Sequence, residues 1–174
     1  MNYKPDRSAP RINRDRMLME MAFTVAKRGT CARARVGAVL SRDGRVISTG
    51  YNGAPSGITH CHHPTHRVPD EIVTDFGGVK RRLTKQVFVD NSPCKVSEHA
   101  ERNAIAYAAR YGVATDGAIL HSTHEPCLDC ARMIVNAGIF EVNYVKPYRV
   151  HEGMVLLRAA GVRVTQLTYD DLEG

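Results

Sequence analysis

The feature that most restricts this chain is His99-Ala100-Glu101, answered later by Pro126-Cys127-Leu128-Asp129-Cys130. One histidine and two cysteines are three ligands of the kind that hold a catalytic zinc, and they leave a fourth tetrahedral position for water. Segments so far apart must therefore be folded back onto one point. Zinc lowers the pKa of bound water to roughly 7, which makes hydroxide available without strong base. Glu101 is left free to carry protons, alternating as acid and base. The short Cys-x-x-Cys spacing suits a helix start, where backbone N–H groups and the dipole stabilise thiolates, and Pro126 fits such a start. Either motif alone is weak: His-x-Glu occurs by chance on exposed helices, and Cys-x-x-Cys also serves redox pairs and structural zinc. A purely structural zinc site leaves Glu101 unexplained.

A chain of 174 residues, 43% of them hydrophobic, is read as one domain over 1–174 with a proper core. No run approaches a membrane span and the N-terminus lacks the apolar core of a signal peptide, so no membrane partner and a cytoplasmic location are expected. The formal charge of +6 favours phosphate-bearing ligands without choosing between nucleotide and nucleic acid. Five cysteines (31, 61, 94, 127 and 130), an odd number, argue against a disulfide framework and for a reducing compartment.

Residues 1–12 read as a loose arm. A helix is expected from Asn13 or Asp15, with Met17, Leu18, Met21, Ala22 and Val25 at helical spacing and Gly29 as its stop. Val36 to Leu40 reads as a buried strand, Arg42-Asp43-Gly44-Arg45 as a hairpin turn, and Val46 to Thr49 as the partner strand. The glycine-rich segment from Gly50 to Gly57 is expected to end that strand. Residues 58–97 show little periodicity, carry the basic run Lys80-Arg81-Arg82, and read as an insertion ordered by metal or ligand. Regular pattern resumes at Glu98: a helix of small residues to Gly112, a strand from Ala118 to Ser122, a helix from Cys127 to Ala137, a strand from Val142 to Val145, a helix from Glu152 to Ala160, and a last strand from Val162 to Leu167. That alternation predicts an α/β class: a three-layer α/β/α sandwich around a central mixed five-stranded sheet. It also sets the metal ligands at the starts of two neighbouring helices.

The paired motifs match the signature of the zinc nucleobase deaminases. With Val36-Gly37-Ala38-Val39, Ser48-Thr49-Gly50-Tyr51-Asn52-Gly53 and His99 to Ile105, the chain from Asp15 to Leu167 resembles the deoxycytidylate (dCMP) deaminase family of the cytidine deaminase-like fold. The Gly-Tyr-Asn-Gly block separates that family from the cytidine and tRNA-adenosine branches. The resemblance implies conversion of dCMP and water to dUMP and ammonia, feeding thymidylate synthesis. It implies Zn2+ on His99, Cys127 and Cys130, with Glu101 as proton shuttle and Asn52 and Ala100 against the nucleotide. A turn residue tolerant of left-handed backbone is the plainer account of Asn52. It further implies a homohexamer, activated by dCTP and inhibited by dTTP with Mg2+, the effectors lying near Tyr51 and Gly53; a nucleic-acid partner is not expected.

By the same resemblance, a second, structural zinc would use Cys31, Cys61 and Cys94, with a fourth ligand among His60, His62, His63 and His66, His60 being preferred. Ser97 stands where the phage pattern places a glutamate, which leaves that ligand set open. Buried free thiols are the plainer account of the three cysteines. The competing functions are a deaminase of another cytosine nucleotide or of RNA adenosine, and a zinc-stabilised binding module without turnover. Glu101 opposes the last.

Overall fold

The computed structural model describes residues 11–31, 34–57 and 97–168, and the backbone of strands at 71–76 and 79–84. The expectation for residues 1–12 falls, except for Arg11 and Ile12, outside the described residues.

Helix α1 (Arg14–Ala26) begins where expected. Asn13 is extended, and its side-chain oxygen accepts from the Arg16 N–H at 2.7 Å, satisfying one of the free amides of the first turn. Strands β1 (Gly37–Arg42) and β2 (Arg45–Tyr51) form an antiparallel hairpin. Its two central residues, Asp43 (φ 52°) and Gly44 (φ 72°), both take the left-handed backbone that such tight turns need.

Strand β2 does not stop before Gly50. It runs on to Tyr51, with Gly50 paired to Ala38. A Cβ at Gly50 would lie 2.2 Å from the Ala100 carbonyl oxygen. Glycine is there because a helix lies directly on the strand, not because the strand ends. Gly37 plays the same part on the other face, where a Cβ would lie 2.1 Å from the Ala22 carbonyl oxygen of α1.

The 58–97 segment contains an antiparallel hairpin, β3 (Glu71–Phe76) and β4 (Val79–Thr84), which forms a sheet of its own. Lys80, Arg81 and Arg82 therefore lie on a strand. The signal was Gly77-Gly78 between two β-prone runs; the density of charge in the second run hid the alternation.

Then follow α2 (Ala100–Arg110), β5 (Ile119–His124), α3 (Leu128–Asn136), β6 (Glu141–Lys146), α4 (Glu152–Ala159) and β7 (Arg163–Gln166). Gly112, Gly138 and Gly161 follow the three helices in left-handed backbone, as a helix C-terminus favours. The main sheet has the order β2-β1-β5-β6-β7. Strand β1 is antiparallel to β2 and β5, whereas β5, β6 and β7 are parallel. The mixed five-stranded sheet is as expected.

Alternation along the strands builds the three layers. Ala38, Leu40, Leu120, Val142 and Tyr144 pack with α2, α3 and α4 through Ala104, Ile134 and Leu157. Val39 and Val145 point the other way, onto Leu18, Met19 and Ala22 of α1. Full burial of side chains such as Leu120, Ile134 and Leu157 contributes about 1.5–3 kcal/mol each. Buried polar groups interrupt the α1 face, among them His121, whose Nε2 lies 2.9 Å from the Asp15 carboxylate and 3.3 Å from the Asn143 amide.

Gly53 and Glu98 form an isolated antiparallel bridge, with N–H···O distances of 3.1 and 2.8 Å.

Candidate active site

Two helix starts meet at one point. His99 is the extended residue before α2 and Cys127 the extended residue before α3, and neither side chain caps its own helix. Their backbone carbonyls accept the first helical bonds, from Asn103 and Ala131 at 2.9 Å each, which leaves the imidazole and the thiol free to turn inward. Cys130, in the first turn of α3, is fully buried.

His99 Nδ1 lies 3.4 Å from Cys127 Sγ and 3.3 Å from Cys130 Sγ, and the three ligand atoms fall within 4.8 Å of one another. A tetrahedral zinc at about 2.3 Å from sulfur and 2.0 Å from nitrogen separates such atoms by about 3.5 Å. Geometry and soft donor chemistry both fit that ion. Among the described residues this is the one cluster of histidine, cysteine or carboxylate groups able to hold a metal.

The electrostatics agree. A hydrogen bond with the Cys130 thiol holds Cys127 down at about 3, against the opposing effect of burial, and His99 adds to the lowering. The same hydrogen bond, with burial, pushes Cys130 up. The bond to Cys127 raises His99, although burial opposes it. A second turn of proton chemistry sits beside them: Glu101 is 3% exposed, and burial raises its pKa, with His99 opposing. A carboxyl that holds its proton more tightly than usual is suited to passing protons both ways.

These groups open on a cavity of about 350 Å³. His99, Ala100, Glu101 and Cys127 form its floor, Asn52, Ala34 and Val36 one wall, and His124, Glu125, Tyr148 and Arg149 another; Cys31 and Ser97 also reach it. Asn52 is 6% exposed. Its side-chain oxygen accepts from the Val36 N–H at 2.8 Å, and its amide donates to the Ala34 carbonyl at 2.8 Å. Asn52 is not left-handed, because Asp43 is the one non-glycine residue of positive φ among those described. The turn-residue account is thereby replaced: the asparagine fixes the segment leading into β1.

Tyr51 and Gly53 face away from Asn52, into a second cleft of about 870 Å³. Its other wall is the outer side of α2, with Asn103, Tyr107, Arg110 and Tyr111. The Asn103 amide donates to the Tyr51 carbonyl at 2.7 Å and holds the two walls together.

Sequence reasoning brought His99, Glu101, Cys127, Cys130, Asn52 and Ala100 to one site; the structure places five of them on the cavity lining and Cys130 buried beside His99 and Cys127. Cys31 lies at the cavity edge as a half-buried free thiol. Cys61, Cys94, His60, His62, His63 and His66 lie outside the described residues, so the second metal set is not assembled among those described. The residues sequence reasoning missed are His124, Glu125, Tyr148 and Arg149. Glu125 carried a faint signal as an acid directly before Pro126; Tyr148 and Arg149 sit in a loop whose aim no periodicity reveals.

Comparison with known proteins agrees with this geometry. The family model for the cytidine and deoxycytidylate deaminase zinc-binding region matches residues 12–146. ComE operon protein 2 of Bacillus subtilis is 36% identical over 93% of this chain and 75% of its own length. The deoxycytidylate deaminase of Enterobacteria phage T4 is 35% identical, covering 84% of this chain and 86% of its own. Among solved structures, the dCMP deaminase of cyanophage S-TIM5 in complex with dCMP and dUMP superposes with a TM-score of 0.67 at 30% identity, over 87% of this chain and 94% of that one.

Proposed function

We propose that this chain, which belongs to the zinc-binding family of cytidine and deoxycytidylate deaminases, hydrolyses dCMP to dUMP and ammonia and so supplies dUMP for thymidylate synthesis. The observation that carries the reading is buried Glu101 beside the His99, Cys127 and Cys130 cluster, on the floor of a cavity of nucleotide-base size.

His99, Cys127 and Cys130 would hold the zinc, which when bound makes water acidic enough to supply hydroxide near neutral pH. Every other task falls to the chain. Glu101 takes a proton from the attacking water, hands one to the ring nitrogen beside the amine-bearing carbon, and delivers one to the amine as it departs. The carbon–nitrogen bond breaks, a carbon–oxygen bond replaces it, and ammonia leaves. Ala100, at the first position of α2, presents backbone rather than side chain to the base. Asn52 builds the opposite wall, so that the base is held edge-on to Glu101. Arg149 is the one guanidinium or ammonium group among the described lining residues, and it is the cation at hand for a 5′-monophosphate.

The regulatory part of the reading assigns dCTP and dTTP, with Mg2+, to the cleft of Tyr51 and Gly53. Its support is a second nucleotide-sized cleft sharing α2 with the active site, with Arg110 at hand for phosphate. A homohexamer at work in the cytoplasm, and a structural zinc that includes Cys31, rest on the family resemblance.

The test is the initial rate of ammonia release from dCMP by zinc-loaded protein, with and without dCTP and Mg2+. Turnover of dCMP, lost on Glu101→Ala with zinc retained, supports the reading. A sigmoidal rate curve made hyperbolic by dCTP supports the effector cleft. Turnover of RNA adenosine or another cytosine nucleotide instead of dCMP, or activity that survives Glu101→Ala, overturns it.

A further inference from the structure

Glu125 stands two residues before the metal ligand Cys127, yet its carboxylate points away from the metal cluster. Its side chain is fully buried, and a buried acid must be paired to stay in place. Its partners all lie on one loop, the connection Pro147–His151 between β6 and α4. One oxygen lies 2.8 Å from His151 Nδ1; the other lies 3.0 Å from the same nitrogen and accepts the Tyr148 N–H at 3.1 Å. The backbone N–H of Glu125 donates to the Lys146 carbonyl at 2.8 Å. A loop whose far partner, His151, is two-thirds exposed is thus tied from beneath by a single acid.

That loop carries Tyr148 and Arg149 to the cavity wall. The start of α4, immediately after it, leans on the same ligand-bearing segment, since a Cβ on Gly153 would lie 2.3 Å from the Pro126 carbonyl oxygen. The metal cluster and the part of the wall formed by Tyr148 and Arg149 are therefore both held by one short stretch, Glu125-Pro126-Cys127.

We propose that Glu125 and His151 form a clasp that positions the Tyr148–Arg149 loop against the 5′-phosphate of the substrate. Glu125 is then a positioning residue for nucleotide recognition. The assignment rests on the dCMP reading above, and it adds which residues make the enzyme prefer the monophosphate to the bare nucleoside.

The experiment compares zinc-loaded wild type, Glu125→Ala, Glu125→Gln and His151→Ala on dCMP and on deoxycytidine, with zinc content and amide hydrogen exchange measured on the same samples. Removing either half of the clasp is expected to raise KM for dCMP on the order of tenfold, with kcat and the deoxycytidine kcat/KM changed less than about threefold. Zinc content stays at the wild-type value, and the Tyr148 amide exchanges faster. Glu125→Gln is expected to recover most of the loss, because its amide oxygen still accepts from Tyr148 and its amide still reaches His151 Nδ1. His151→Ala changes an exposed residue and keeps the test open should Glu125→Ala fold poorly. Equal losses on both substrates, an unchanged KM, or an unchanged Tyr148 exchange rate would overturn the clasp. Wild type inactive on dCMP but with Tyr148 protected by Glu125 would overturn the substrate assignment, and with it the phosphate role, while leaving the loop contact standing.

Discussion

Gly50→Ala asks how tightly the reacting groups depend on the approach of one helix to one strand. The added Cβ would sit 2.2 Å from the Ala100 carbonyl oxygen and 2.4 Å from the Ala104 backbone nitrogen. Ordinary van der Waals contact begins at 3.4 Å, and both neighbours are helix backbone with no rotamer to yield. Strand β2 is held by its ladder to β1, so α2 must lift by about 1 Å. Such overpacking costs about 1–3 kcal/mol of stability. The larger effect is on rate. Ala100 lies between His99 and Glu101, so the proposed metal ligand and the proposed proton carrier move together relative to Cys127 and Cys130, which ride on α3. A displacement near 1 Å at reacting groups lowers turnover about 100-fold. The assay is kcat for dCMP at saturating substrate beside thermal unfolding of the zinc-loaded protein. A variant that keeps wild-type kcat and melting temperature would refute the claim that the contact between Gly50 and α2 sets the geometry of the site.

Glu101→Gln should lower kcat by about 10²–10⁴-fold while zinc, measured by metal analysis, stays bound. Asn52→Ala removes two side-chain hydrogen bonds to the segment before β1 and should cost about 2 kcal/mol in denaturant unfolding, with a raised KM. Chelating the zinc should lower the melting temperature in proportion to the logarithm of free metal, because the ion joins two helix starts only in the folded chain. Burial, partly opposed by Asp15, holds His121 below its ordinary 6.5. The unfolded chain therefore takes up a proton that the folded chain refuses. Stability is complete above about pH 6.5 and is lost as pH falls toward the folded value, by at most about 1.4 kcal/mol per pH unit. His121→Asn should flatten that slope in urea titrations between pH 5 and 7.

Much of this was legible in the chain itself. The ligand triad, Glu101 and the five strands follow from ligand chemistry and from apolar period, because both are local in sequence. Gly50 was misread because a glycine in a strand pattern signals an end or a bulge; only the packing of α2 reveals that it marks close approach. The hairpin Glu71–Thr84 was missed because its second strand is dense in charge, which masks a period of two. Tyr148, Arg149 and the Glu125–His151 pair were invisible for another reason. Their roles depend on where an irregular loop points, and that is set by a contact between residues 26 apart.

One pair of backbone hydrogen bonds brings Gly53 and Glu98 side by side, so the two ends of the segment between them are fixed against each other, with Asn52 on one side and His99 on the other. Lengthening such a loop costs slowly, about 0.6 kcal/mol per doubling. The number of residues between the two can therefore change at small entropic cost while the bridge keeps Asn52 and His99 in register.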